Sequence, residues 1–319
     1  MTLTTPETLS ALDAEVTGKG RRLPGRRLGR PTGNSAGVTR RRSPSRRIVD
    51  IVLIAVLSIG GIVMIAPLLW TFSTSLKTRE AVFALPPQWI PDPVVWENYV
   101  RVWSAGPLLS GIVNSIIVSA TVTTIGTVTS MLAAFAFAKM RLPAKNVLFL
   151  LLLSAIMIPF PTIMIPQFKL FADLGMVDTL WPLILPGVFG NIVMIFFLRQ
   201  YLSSVPDSLV EAAKIDGASY WQIFWRMIMP IIRPAVAAQF ILWFMAVWND
   251  YLAPILYLNT PEKQTLQVVI ANMNVEYATQ RDYPLIMAAS VVAVLPILVV
   301  FLVFQRQIIE SVALTGTKG

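Results

Sequence analysis

Glu211, Lys214 and Asp216 stand close together in the run Glu211-Ala212-Ala213-Lys214-Ile215-Asp216-Gly217-Ala218-Ser219, between two strongly apolar segments. The chain has no cysteine, which removes disulfides, thiol nucleophiles and thiolate metal sites. It has no histidine either, so the usual general base and the commonest metal ligand are missing. Charged residues in such a chain are better suited to contact with a partner than to catalysis. Their setting supports this, because the polar run keeps helix-forming order. Pro206 suits a first helical position, and Asp207 places negative charge near the helix N-terminus. Leu209, Val210, Ala213 and Ile215 give the short helix an apolar side. Gly217 can end it in the left-handed conformation. Ser219 and Gln222 have the spacing of a capping box for a second helix, in which Tyr220, Ile223, Phe224 and Met227 share one face and which Pro230 ends.

The elements that carry this loop are set by composition. Of 319 residues, 55% are hydrophobic and 13% charged, against about 25% charged in a soluble domain. Mean hydropathy is +0.66, and the apolar residues come in blocks of the length that crosses a bilayer. The reading is an all-α integral membrane protein with six transmembrane helices, at about 48–72, 108–138, 146–165, 183–201, 234–257 and 284–305. The loop at 204–230 lies between the fourth and fifth. The second span is rich in small residues, including Ser115, Ser119, Thr123, Gly126 and Ala134, which let helices approach closely. The third ends in Pro159, Pro161 and Pro166, and loops are expected at 73–107, 166–182 and 258–283.

Residues 1–47 hold eleven of the 26 Lys and Arg against three acids, and read as a disordered basic cytoplasmic tail that orients the first helix and touches anionic lipid. With the N-terminus inside, positive charge concentrates on the inner segments even when this tail is set aside. Both termini and the 204–230 loop are then cytoplasmic, in a multi-pass protein of the plasma (inner) membrane. No Gly-x-x-x-x-Gly-Lys-Ser/Thr motif is present, so any ATP that drives this protein is held by another polypeptide.

Glu211-Ala212-Ala213, Gly217 and Pro230 resemble the EAA loop of ATP-binding-cassette (ABC) importer permeases, with Met227 and Met229 standing where Ile and Leu are usual. Ser204 to Val210, Asn114-Ser115, Trp181 to Pro186, Trp248-Asn249-Asp250 and the C-terminal Leu314 to Gly319 are similar to the carbohydrate, MalG-like branch. The resemblance covers roughly 48–319. It implies a permease subunit, not an enzyme, that moves a sugar or oligosaccharide by alternating access. Glu211, Ala212, Ala213, Asp216, Gly217 and Pro230 would couple it to the ATPase. It implies as partners a second homologous permease, two ATPase subunits carrying ATP-Mg, an extracytoplasmic solute-binding protein and membrane lipid. It implies no cofactor on this chain and no nucleic acid. The alternative is the membrane module of an exporter or channel complex without a binding protein.

Asn114, Asn191, Trp248, Asn249 and Asp250 are candidate pathway residues. Each also has a structural reading, as a helix–helix hydrogen bond, a cap or packing. Trp243, Trp248, Tyr251 and Tyr257 could stack on sugar rings or pack in the bundle and the lipid interface.

Overall fold

The computed structural model describes residues 44–316, with side chains placed over 48–306. The tail expected at 1–47 therefore lies outside the residues described, except for the first residues of a helix that begins at Pro44, and so do the side chains of the C-terminal motif. Among the described residues there is no strand. Two compact units divide the chain after Ser58. The first contributes the opening of α1 (Pro44–Ser75); everything below concerns the second, from Ile59. In that part of α1 Ile62, Met64 and Leu68 are exposed on a helix of high hydropathy, as a lipid-facing surface requires.

The other elements are α2 (Asn98–Arg101), α3 (Leu108–Lys139), α4 (Lys145–Ser154), α5 (Phe160–Asp173), α6 (Trp181–Val188), α7 (Ile192–Ser203), α8 (Asp207–Ile215), α9 (Tyr220–Gln222), α10 (Met229–Trp248), α11 (Leu252–Tyr257), α12 (Leu266–Thr279) and α13 (Tyr283–Gly316). Five stretches are long and apolar enough to cross a membrane: Ile48–Ser75, Leu108–Lys139, Trp181–Ser203, Tyr220–Trp248 and Tyr283–Arg306. The sixth candidate is the broken pair Lys145–Met157 and Phe160–Asp173, bent by 96°.

That break falls inside the span expected at 146–165, at the prolines expected to end it. Pro159 and Pro161 cannot continue the first helix, but Pro161 suits the first turn of the next, so α5 runs on through Pro166 to Asp173. The expected fourth span is likewise two pieces, parted at Phe189, Gly190 and Asn191, with Gly190 at φ +116°. The expected fifth span ends at Trp248, and the loop expected at 258–283 contains α12.

The centre of the bundle is α3, which packs on α6, α7, α10 and α12, while α10 packs on α13. Its small residues make this contact possible. A Cβ on Gly126 would lie 2.3 Å from Trp243 Cη2 and 2.4 Å from the Gly187 carbonyl oxygen. Several α3 hydroxyls donate within their own helix, Ser119 Oγ to Ser115 O and Thr123 Oγ1 to Ser119 O, while Thr127 Oγ1 donates across to Met194 Sδ. Two of them also accept backbone donors from other elements. Ser115 Oγ accepts from Leu266 N at 2.8 Å, and Ser130 Oγ accepts from Asn191 N at 2.8 Å, so α3 pins the starts of α12 and α7.

Besides a small buried cluster of Val118, Val122 and Ile184, two larger buried cores lie along the bundle. One joins Ala134 and Phe135 of α3 with Leu198 and Leu202 of α7 and Val210 and Ala213 of α8. The other joins Leu108, Trp248, Leu266, Leu285 and Ala289 near the opposite end of α3.

Candidate functional site: a capped helical hairpin at one end of the bundle

The first helix of the hairpin begins at Asp207, with Pro206 one position earlier than expected, as its N-cap at ψ 135°. It ends in a Schellman turn: Gly217 N–H donates to Lys214 O at 3.0 Å, and Ala218 N–H to Ala213 O at 2.9 Å. Gly217 sits at φ +81°, a region costly for any side chain with a Cβ. Two residues later the expected capping box is complete: Ser219 N–H donates to Gln222 Oε1 at 2.8 Å, and Gln222 N–H to Ser219 Oγ at 3.3 Å. The turn therefore satisfies the end of one helix and the start of the next with four residues, 216–219, between them, which fixes the angle between the two. Lys214 adds a brace by donating to the Tyr220 hydroxyl, its Nζ lying 4.0 Å from the centre of that ring.

The second helix does not end at Pro230. From Tyr220 to Trp248 the chain is one continuous helix of 29 residues. The stretch Ile223–Ile228 is π-helical, and Met229 N–H donates back to Phe224 O. Proline has no N–H to give to the preceding turn, and the wider turn lies directly before it and takes up the change of register. Pro230 is the second residue of α10, directly after that wide turn, and the helix runs on through it. The hairpin is thus built into the start of a membrane span.

Burial separates an anchoring face from a contact face. Val210, Ala213, Ile223, Phe224 and Ile228 are buried in the same core as α3 and α7. Glu211, Ala212, Lys214, Ile215, Asp216 and Gly217 are exposed. Ile215 and Leu209, expected on the apolar side, are not buried, and Ile215 is 86% exposed. With buried residues at only Val210 and Ala213, three apart on a nine-residue helix, the buried stripe is too narrow to reach them. Glu211 makes no ion pair among the described residues. It borders a hollow of about 640 Å³ whose lining includes the cations Lys139, Arg141, Lys145 and Lys214, while a second hollow of about 460 Å³ runs along Gly217, Gln222 and Arg226.

One anchor was not legible in the sequence. Lys139, with only 3% of its side chain exposed, donates to Val205 O at 2.6 Å and to Asp207 Oδ1 at 2.5 Å. The hydrogen bond from Lys139 and its charge hold the Asp207 carboxyl below the usual carboxylate range. Its only signal in the sequence is its place in the short basic turn Lys139–Lys145 after an apolar run, which reads as a topology marker.

The candidate pathway residues do not converge on a single site. Asn114 Nδ2 donates to Glu262 O and Gln264 O, both at 3.0 Å. Asn191 caps α7 by accepting from Met194 N at 3.0 Å. Trp248 is 1% exposed, and its Nε1–H donates to Ala293 O at 3.2 Å. Asp250 Oδ1 accepts from Leu252 N and Ala253 N at the start of α11. Asn249 donates to Met245 O and accepts from Gln267 Nε2 at 3.3 Å.

Opposite the hairpin, two acids tie the connecting segments together. Asp178, at φ +60°, accepts from Asn259 N, Thr260 N, Thr260 Oγ1 and Lys263 Nζ. Asp282, fully buried, accepts from Arg79 and from Arg101.

A bundle of helices long and apolar enough to span a membrane, with a partly buried hairpin at one end, defines a helical membrane component. The family of binding-protein-dependent transport system inner membrane components matches residues 126–313, and the chain belongs to that family. It is thus a permease subunit of an ABC importer, and ATP hydrolysis lies in separate subunits. Among its relatives, the sn-glycerol-3-phosphate transport system permease protein UgpE of Yersinia enterocolitica is 31% identical over 274 residues, 84% of this chain and 97% of that protein. The arabinooligosaccharides transport system permease protein AraQ of Halalkalibacterium halodurans is 32% identical over 230 residues, 72% of this chain and 81% of that one. A solved bacterial ABC transporter involved in import of the acidic polysaccharide alginate superposes with a TM-score of 0.69 at 27% identity, covering 83% of this chain and 98% of its counterpart.

Proposed function

We propose that this chain, with a second homologous permease, carries a sugar or sugar-derived solute across the inner membrane, driven by two ATPase subunits that hold ATP-Mg and supplied by an external solute-binding protein. The relatives above are named for a polyol phosphate, an arabinose oligosaccharide and an acidic polysaccharide, all of them polyhydroxylated. The hairpin faces the cytoplasm in this reading, as the distribution of Lys and Arg supports.

The observation that carries the proposal is the continuity of the hairpin with α10. When the ATPases close, a partner that grips the exposed Glu211, Ala212, Ile215 and Asp216 pushes on α8. The fixed Gly217 turn passes that push to α9, and α9 is already the first turn of a spanning helix. Ala213 anchors α8 to the bundle, Gly217 fixes the angle, and Pro230 marks where the coupling helix becomes the span. The chain itself binds no cofactor in this scheme. Co-purification tests it: the ATPase stays bound to the wild-type permease and is lost when Glu211 and Gly217 are both replaced. Full ATPase retention after that double change would sink the proposal.

A further inference from the structure

Between α1 and α3 the chain exposes Leu85 (89%), Trp89 (59%), Ile90 (82%) and Trp96 (62%). Apolar surface of this kind, contiguous along a segment, marks an interaction site. Its height is set by the end of α1. Val95 N–H donates to Leu76 O at 2.8 Å, and Asn98 Nδ2 donates to Ser75 O at 2.9 Å and to Lys77 O at 3.0 Å. The Tyr99 and Ser75 hydroxyls share a hydrogen bond of 2.7 Å. Trp89 reaches back along the helix. Its ring meets that of Trp70 edge to face, 5.0 Å between centres, and its carbonyl accepts from Ser73 Oγ. Trp70 stands five residues before Ser75, about 7 Å inside the end of α1, next to the exposed Leu68 and Leu69 of the lipid-facing surface. We propose that residues 84–103 anchor α1 in the outer leaflet at headgroup level, with Leu85, Trp89 and Ile90 seated in lipid; the proposal rests on the orientation given above, with the hairpin in the cytoplasm.

Two opposite demands on the segment select the headgroup layer. Its side chains are apolar, but its backbone needs water. Four of the ten residues 85–94 are proline and have no N–H to leave unpaired. The remaining N–H groups from Leu85 to Val94 donate to nothing among the described residues. Such backbone would lose several kcal/mol per group in hydrocarbon, and it would fare no better in a dry contact with a second permease. Asp92 and Glu97 are exposed as well and must reach water. Headgroups offer water to the backbone and carboxylates while the rings and aliphatic groups enter the lipid, which is why Trp concentrates at this depth. A soluble protein docking from outside would have to reach Trp89 at the level of Trp70, inside the last turns of a spanning helix. Lys77 completes the belt: its side chain is buried, and its ammonium lies 4.0 Å from the centre of the Trp70 ring.

The test uses the assembled complex in phospholipid vesicles, with single cysteines that are unique in this chain because it has none of its own. Ile90→Cys carries a nitroxide, and power-saturation EPR compares its collisions with oxygen, which concentrates in lipid, and with a water-soluble nickel chelate. The signal of the unsubstituted complex is subtracted. Leu85→Cys takes its place if that complex does not assemble, and Glu276→Cys, exposed on α12, is the aqueous control. The expected oxygen-to-nickel ratio is several-fold higher at Ile90 than at Glu276. A ratio equal to that at Glu276 shows water over the segment, and protection from both colliders shows a protein over it; either overturns the proposal. An impermeant maleimide added outside right-side-out vesicles should label Glu276→Cys. Labelling only after the vesicles are opened overturns the orientation, and with it the outer leaflet. A water-like ratio at Ile90 with Glu276 labelled from outside overturns the anchor alone.

Discussion

Lys139, in the last turn of α3, and Asp207, the first residue of α8, lie 68 residues apart in sequence and are joined by an Nζ–Oδ1 contact of 2.5 Å. The same ammonium donates to Val205 O, so one buried cation holds both the segment leading into the hairpin and its first residue. The exposed Asp207 by itself would contribute little, as surface pairs do. The backbone bond inside the protein gives Lys139 its value.

Lys139→Met should therefore loosen α8 from α3 without unfolding the bundle. It removes a buried hydrogen bond from a charged donor to Val205 O, worth about 2 kcal/mol before relaxation, together with a largely exposed ion pair that adds little. Uptake per ATP hydrolysed should fall several-fold while ATPase co-purification persists; an unchanged ratio in proteoliposomes would refute the bracing role.

The Asp207 carboxyl is depressed by Lys139, so the folded protein favours its ionised form more than the unfolded chain does. The contribution of this pair is complete above the ordinary carboxylate value of about 4 and is lost as pH falls through the depressed value. Coupling ratios measured from pH 5 to pH 8 should show no loss traceable to this pair, and Asp207→Asn should differ from wild type throughout that range.

Gly217→Val should leave the protein inserted but uncouple transport from hydrolysis. Nothing lies within 4 Å of the added Cβ, so the penalty is the backbone's alone, ~1–2 kcal/mol for a left-handed residue. Gly217→Asn should recover most of the uptake, because Asn tolerates that conformation. Equal uptake by Gly217→Val and wild type would refute the fixed-angle account.

Gly126→Ala should lower the melting temperature of the solubilised complex, since its Cβ would meet the Trp243 ring and a carbonyl oxygen well inside contact distance. Overpacking costs typically about 1–3 kcal/mol. Gly187→Ala, whose Cβ would meet Val122 Cγ1 at 2.5 Å, acts on the same contact, so the two losses should be less than additive.

Trp248→Phe distinguishes packing from transport at a residue proposed for the pathway. It deletes the bond to Ala293 O but keeps an aromatic ring in the core, so stability should drop by about 1 kcal/mol with uptake by the folded protein unchanged. A fall in uptake at constant stability would restore Trp248 to the pathway.

The sequence by itself determined the membrane class, the number of apolar segments, the hairpin with its Gly217 turn and Ser219–Gln222 box, and the absence of His and Cys chemistry. These are local or compositional properties, set by hydropathy over about 20 residues and by side-chain-to-backbone bonds spanning three or four. Only the tertiary structure decided that Pro230 lies inside a continuous helix, that the third candidate span bends by 96°, and that Ile215 faces outward. It alone brought Lys139 to Asp207 and Trp248 to Ala293. A proline breaks a helix or begins one according to the register of the turn before it, and an apolar residue is buried only where another element covers it. Neither condition is written at the residue itself, because each depends on chain that lies far away in sequence.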